Sequence, residues 1–219
     1  MASSAPKRLT PPHPPADFGS IVLDTVEPPA VEFYRVSHED FPSPLFFSRK
    51  GLYRFDSATA RWGVCYVAPA IPTTILETFA DAIRARRIDF TEFDQRLVWK
   101  ITIPRGLQTL RLSGATLPKI KATLQSFVSR YSLSQEWGRA FMNHPQVLDG
   151  VIYTGRQSGS ECLALFGDTD PAKGRAYQPH LRAKALGKIS EWAGFYPFLA
   201  QSGARVVNLP KAFPANVWR

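Results

Sequence analysis

Between Phe33 and Glu77 the chain places arginine, tyrosine and glutamate inside segments otherwise patterned as apolar strands and one helix. The run reads Phe33-Tyr34-Arg35-Val36, Gly51-Leu52-Tyr53-Arg54-Phe55-Asp56, Val64-Cys65-Tyr66-Val67-Ala68 and Thr73-Thr74-Ile75-Leu76-Glu77-Thr78. An ionised side chain in such surroundings is costly unless it is paired or faces a ligand. A fold built from these segments therefore has to open a polar cleft among its own core elements. Arg35, Arg54, Tyr66 and Glu77 are the candidates to line it. Two cations can hold a diphosphate through charge-assisted forks, a tyrosine ring can stack on a flat heterocycle, and a carboxylate can stabilise a developing positive charge. Those are the needs of a dinucleotide cleaved at its glycosidic bond. Each residue also has a plainer reading. Glu77 could be a boundary glutamate paired with a neighbour such as Arg54, the arginines could point to water, and Tyr66 could be an ordinary half-buried strand tyrosine.

The flanking pattern predicts alternating element types. Strands are expected over Val31 to Val36, Gly63 to Ala68, Arg96 to Ile103, Gly150 to Tyr153 and Cys162 to Phe166. Helical spacing is read over Thr73 to Arg86, with Ile75, Leu76, Phe79 and Ile83 on one face, over Leu117 to Arg130 and over Ser134 to Asn143. Leu181 to Trp192 reads as an amphipathic basic helix. Helices and strands interleave without a regular βαβ repeat, which predicts an α+β domain rather than a doubly wound sheet. Residues 1–30, with Pro11-Pro12-His13-Pro14-Pro15, are expected to form a flexible, proline-rich arm. One domain is expected over 31–219, ending in a C-terminal helical extension.

The order of these residues resembles the RES domain family, whose members include bacterial toxins that consume NAD. The resemblance runs from Phe33 to Asp168. It rests on an Arg after an aromatic pair, a Gly-x-x-Arg-aromatic turn, Tyr66 twelve residues after Arg54, and Glu77 eleven residues after Tyr66. It also rests on Asp149-Gly150-Val151-Ile152-Tyr153-Thr154-Gly155-Arg156 followed by Glu161-Cys162-Leu163-Ala164-Leu165-Phe166. The resemblance implies a fold like that of ADP-ribosyltransferase toxins, a split β-sheet flanked by helices with NAD in the cleft. It implies that Arg35 and Arg54 contact the diphosphate or ribose, that Tyr66 stacks on or hydrogen-bonds the nicotinamide side, and that Glu77 stabilises the cation formed at the ribose. Where the family's serine is expected, directly before Arg156, this chain has Gly155, with Ser158 and Ser160 close behind. Gly155, Arg156 and Ser158 are therefore expected to bind phosphate or ribose, Arg156 alternatively pairing with Glu161. The function implied is NAD degradation at the nicotinamide-ribose bond, as a glycohydrolase or phosphorylase. Protein ADP-ribosylation and a non-catalytic nucleotide- or antitoxin-binding role are the alternatives. NAD would be a substrate, with no metal required.

Composition narrows the partners. The net charge of +9 favours an acidic partner, yet the 27 Lys and Arg are spread out, and only Arg84, Arg86 and Arg87 cluster. An acidic antitoxin protein suits this charge, whereas direct nucleic-acid binding is not expected. Cys65 and Cys162 sit in apolar strand-like runs and read as buried, reduced thiols, in keeping with a cytoplasmic location. No apolar stretch has the length of a membrane span, and Met1 to Pro15 has no signal-like core, so no membrane association is expected. Gly187-Lys188-Ile189-Ser190 lacks the upstream glycine of a Walker lysine, and His13, His38, His144 and His180 have no metal-ligand spacing. No Gly-x-Ser-x-Gly elbow is present.

Overall fold

The computed structural model describes residues 10–41, 43–103, 106–168 and 180–209. The first nine residues of the expected arm and the segment 174–179 lie outside them.

Two sheets carry the molecule. Strands β1 (Thr25–Val26), β2 (Glu32–His38) and β3 (Trp62–Val67) are followed by helices α1 (Ile71–Thr78) and α2 (Ala80–Arg84). Then come β4 (Arg87–Asp89), α3 (Phe90–Asp94), β5 (Arg96–Thr102) and β6 (Thr109–Arg111), and the short helices α4 (Thr116–Lys119) and α5 (Gln125–Val128). Helix α6 (Tyr131–Met142), β7 (Gly150–Thr154), β8 (Glu161–Asp168), β9 (Arg182–Lys188), α7 (Phe195–Ser202) and β10 (Arg205–Val207) complete the order. One sheet runs β1-β6-β7-β8-β3 and the other β2-β5-β9, with β4 and β10 forming a small parallel ladder. This is an α+β single domain.

Period-two alternation sorts the strand side chains between layers. From β3 and β8, Cys65, Val67, Leu163 and Leu165 join Phe33 and Ile101 in a core between the two sheets. Val64, Ala164 and Phe166 from the same strands point the opposite way, against Phe127, Trp137 and Phe141 of α5 and α6. Ile75, Phe79, Val98, Phe195 and Val206 form a third core on the outer face of the smaller sheet. The sheets touch through Tyr34 and Ala68, which exchange backbone bonds of 2.7 and 2.9 Å. That bridge is isolated, since β2 pairs along its whole length with β5 on its other edge, and α1 begins three residues after Ala68. The cleft opens where the sheets part.

Several expected elements differ from the observed ones. The helix predicted over Thr73 to Arg86 is two helices meeting at Phe79, whose φ of −105° and ψ of 18° leave the helical region. Just before it the Thr78 hydroxyl donates back to the Thr74 carbonyl at 2.7 Å, an arrangement that bends helices. Leu117 to Arg130 is likewise split, because Lys121 takes a φ of 58° between α4 and α5. Leu181 to Trp192 is not a helix: Arg182 to Lys188 form β9, paired along β5. Its cations at 182, 184 and 188 fit a period of two as well as a helical face, and pairing with β5 decides between them.

The segments 10–18 and 181–209 pack on the domain. The Pro12 carbonyl accepts bonds from Trp137 Nε1 and Ser126 Oγ, each at 3.1 Å, and Phe18 packs edge-on against Trp137. From Thr10 onward the proline-rich segment is thus docked on α5 and α6 rather than free. At the other end, α7 buries Phe195, and β10 pairs with β4, so residues 181–209 help build the core. No helix of the described residues is long and apolar enough to cross a membrane.

Candidate active site

A cavity of about 280 Å³ lies at the parting of the two sheets, and its lining includes Arg35, Arg54, Tyr66 and Glu77. Four residues separated along the sequence are therefore brought to one place. Arg35 projects from β2 on the same side as Phe33, Tyr66 comes from β3, Glu77 from the last turn of α1, and Arg54 from the turn before β3.

Glu77 is held by the loop between β7 and β8. Its Oε1 accepts bonds from the Gln157 and Ser158 amides at 3.0 and 2.9 Å and from Ser158 Oγ at 2.9 Å. No bond reaches Oε2 from the described residues. Glu77 is thus paired neither with Arg54 nor with any other cation within ion-pair distance among the described residues.

The arginines are tied to the frame. Arg54 is only 8% exposed, donates to the Thr154 carbonyl at 3.0 Å and lies over the Tyr153 ring at 5.2 Å. Arg35 Nη1 donates to the carbonyls of Pro44 (2.6 Å) and Phe46 (2.9 Å) and touches Cys65 Sγ. Neither is a cation pointing freely to water. Every described side-chain hydrogen bond of either residue leaves from Nη1, so Nη2 and Nε have no described acceptor.

Tyr66 presents its ring. Its hydroxyl donates to Asp56 Oδ1 at 2.9 Å and accepts the Phe55 amide at 3.0 Å, so its proton is spent inside the protein. Burial pushes the phenol well above its ordinary range, with the nearby Asp56 charge adding to the shift. Asp56 is fully buried and takes two further bonds from the Leu52 and Tyr53 amides, both at 3.1 Å. Burial nevertheless raises its carboxyl pKa, the hydrogen bonds opposing that shift. Of the two expected contacts for Tyr66, stacking is the one this geometry favours.

The loop residues divide. Ser158 and Gly155 lie against Glu77, where a Cβ on Gly155 would come within 2.6 Å of Glu77 Oε1. Arg156 is exposed and outside the cavity lining, and Glu161 pairs instead with Arg111 Nη1 at 2.9 Å. Neither reading of Arg156 matches its place: it is outside the cavity lining, and the alternative partner Glu161 is taken by Arg111 in a pair between β6 and β8.

Tyr53, Tyr131, Tyr153 and Cys162 also line the cavity, and none was singled out as a site residue from sequence. Tyr153 and Cys162 face each other in the β7–β8 register, a pairing the two apolar runs could have suggested. Tyr131, at the start of α6, carries no such signal. Burial, and then the Glu77 charge, push the Cys162 thiol up to about 12, away from the thiolate form a nucleophile needs. Among the described residues no group of three or more His, Cys, Asp or Glu could hold a metal ion.

The RES domain model matches residues 32–185, more than half of the chain. The chain belongs to the RES domain family. Among solved structures it is similar to the toxin of the M. tuberculosis MbcT–MbcA toxin–antitoxin complex, with a TM-score of 0.55 and 17% identity over 74% of this chain and 87% of that one. That likeness is one of fold. No curated protein matches the chain.

Proposed function

We propose that this RES domain cleaves the bond between nicotinamide and ribose in NAD, as the toxin of a toxin–antitoxin pair. The observation that carries the reading is the shared cavity of Glu77, Arg35, Arg54 and Tyr66, in which one oxygen of Glu77 is pinned and the other has no partner among the described residues. The remaining N–H groups of Arg54 and Arg35 suit the diphosphate, and the Tyr66 ring suits a flat base. Glu77 Oε2 would face the ribose carbon. As the C1′–N bond breaks, its electron pair neutralises the nicotinamide ring and positive charge builds on the ribose, where a fixed carboxylate stabilises it. An acceptor oxygen then bonds to C1′ and gives up its proton. Water would yield ADP-ribose, and phosphate ADP-ribose 1-phosphate. Transfer to a protein is the alternative, and the same residues would serve it.

Incubating the full chain with NAD, with and without inorganic phosphate, tests the reaction. Release of nicotinamide is the expected result, and the second product identifies the acceptor. Unchanged NAD would favour the non-catalytic reading.

The proposal includes an acidic antitoxin as partner. Support comes from the net charge of +9 and from the fold's likeness to a chain seen in a toxin–antitoxin complex. It also comes from Arg84, Arg86 and Arg87, exposed at the turn into β4, where the ladder register sets a fourth exposed arginine, Arg205, directly across from Arg87. Of these four, only Arg84 has a described carboxylate within ion-pair distance, Asp81 at 3.3 Å.

A further inference from the structure

The β7–β8 loop reaches Glu77 by a route set by its own turn. The Gly155 amide donates to the Ser160 carbonyl at 2.8 Å and the Gly159 amide to the Gly155 carbonyl at 3.1 Å. Gly159 takes a φ of +66°, a conformation that costs glycine little. This closure turns residue 158 back onto Glu77. The Ser160 amide donates to Ser158 Oγ at 3.2 Å, which occupies a lone pair and leaves the hydroxyl proton for Glu77.

Residue 155 and the hydroxyl of residue 158 compete for one place. A Cβ at position 155 would lie 2.5 Å from Ser158 Oγ and 2.6 Å from Glu77 Oε1, closer than real contacts allow. This chain fills that place with the downstream hydroxyl and leaves position 155 without a side chain. The consequence falls on the carboxylate: three donors anchor Oε1 and restrict the swing of Oε2.

We infer that Ser158 is a positioning residue of this site, its hydroxyl delivered past Gly155 to orient Glu77 so that Oε2 meets the reacting ribose. The inference rests on the NAD-cleavage reading. Because Ser158 Oγ lies 2.9 Å from Glu77 Oε1, beside the Cys162 thiol, and accepts the Ser160 amide, Ser158 acts through the carboxylate and on kcat.

Two readouts test it on the full chain. In an amide nitrogen-proton spectrum without ligand, the Gln157 and Ser158 signals are expected to move upfield in Glu77→Gln and to be disturbed in Gly155→Ala. If both ignore Glu77→Gln, the contact does not exist and the inference falls, whatever the reaction is. In NAD turnover, Ser158→Ala is expected to lower kcat roughly ten- to a hundredfold, the loss of one bond to an ionised acceptor. KM should stay within about twofold, and Ser158→Thr should recover most of the rate. Gly155→Ala, which crowds both partners, should lose at least as much as Ser158→Ala. Full kcat in Ser158→Ala, or a loss confined to KM, overturns the positioning role. A wild-type chain inert toward NAD overturns the assigned reaction instead, and the amide response then still decides the contact.

Discussion

The two walls of the cleft are built on different terms. On the acidic wall, every described hydrogen bond to the Glu77 carboxylate comes from one loop, and its second oxygen has no partner among the described residues. On the basic wall, Arg54 is buried beneath Thr154 and Tyr153, and Arg35 fastens the Pro44–Phe46 segment through two carbonyls. The carboxylate can therefore be altered with little damage to the frame. On the proposed reading the arginines serve frame and ligand together, so their removal cannot separate the two.

The sharpest way to break this comparison is Glu77→Gln. The amide keeps the shape and loses the charge, and a fall in kcat of roughly 10² to 10³ is expected, the usual cost of one electrostatic stabiliser. Circular dichroism and melting should stay close to wild type. A large drop in melting temperature would place Glu77 in the frame after all.

Arg54→Ala should fail on both counts. Stranding the Thr154 carbonyl costs about 1–3 kcal/mol, or roughly 2–10 °C in a domain of this size, and weaker NAD binding should accompany it. Calorimetry of unfolding and of NAD binding on one sample would show it. Undiminished stability with lost binding would make Arg54 a ligand residue only.

Tyr66→Phe sharpens the comparison from the middle of the cleft. It removes the bond to Asp56 and strands the Phe55 amide, for a stability loss of about 1–2 kcal/mol in urea unfolding. The ring remains, so KM for NAD should change less than about threefold. A large rise in KM would mean that the hydroxyl, not the ring, meets the ligand.

The smallest expected effect is a pH dependence at Asp56. Burial raises its folded carboxyl pKa above the ordinary 3.8, so the folded chain holds this proton more tightly than the unfolded one. Its contribution to stability is complete below pH 3.8 and is lost as pH rises through the raised folded value. The stability advantage of wild type over Asp56→Asn should therefore shrink with rising pH across that window. An advantage that grew instead would show that the backbone donors outweigh burial.

Much of this was legible in the sequence because polar residues inside apolar strands have few places to go. Arg35, Arg54, Tyr66 and Glu77 stand out by that conflict, and the fold puts all four in one cavity. The partners they would have inside the protein were not legible. Arg35 reaches Pro44 and Phe46, and Tyr66 reaches Asp56, through contacts that no periodicity encodes. Strands β3, β7 and β8 of the larger sheet are legible because their apolar runs are continuous, whereas the two- and three-residue strands β1 and β6 carry no such run. The basic segment after Leu181 was misread, since alternating cations and alanines fit an exposed strand and a helix equally until β5 supplies a partner. Helix breaks at Phe79 and Lys121 were missed for a related reason: each is a single-residue backbone choice set by packing.

The most direct measurement is a crystal structure of Glu77→Gln soaked with NAD. The expected result places the diphosphate on Arg54 and Arg35, a base against the Tyr66 ring, and the ribose C1′ about 3.5 Å from the side chain of residue 77. NAD bound outside the cleft, or with its nicotinamide-side ribose turned away from residue 77, would contradict the division of labour between the two walls.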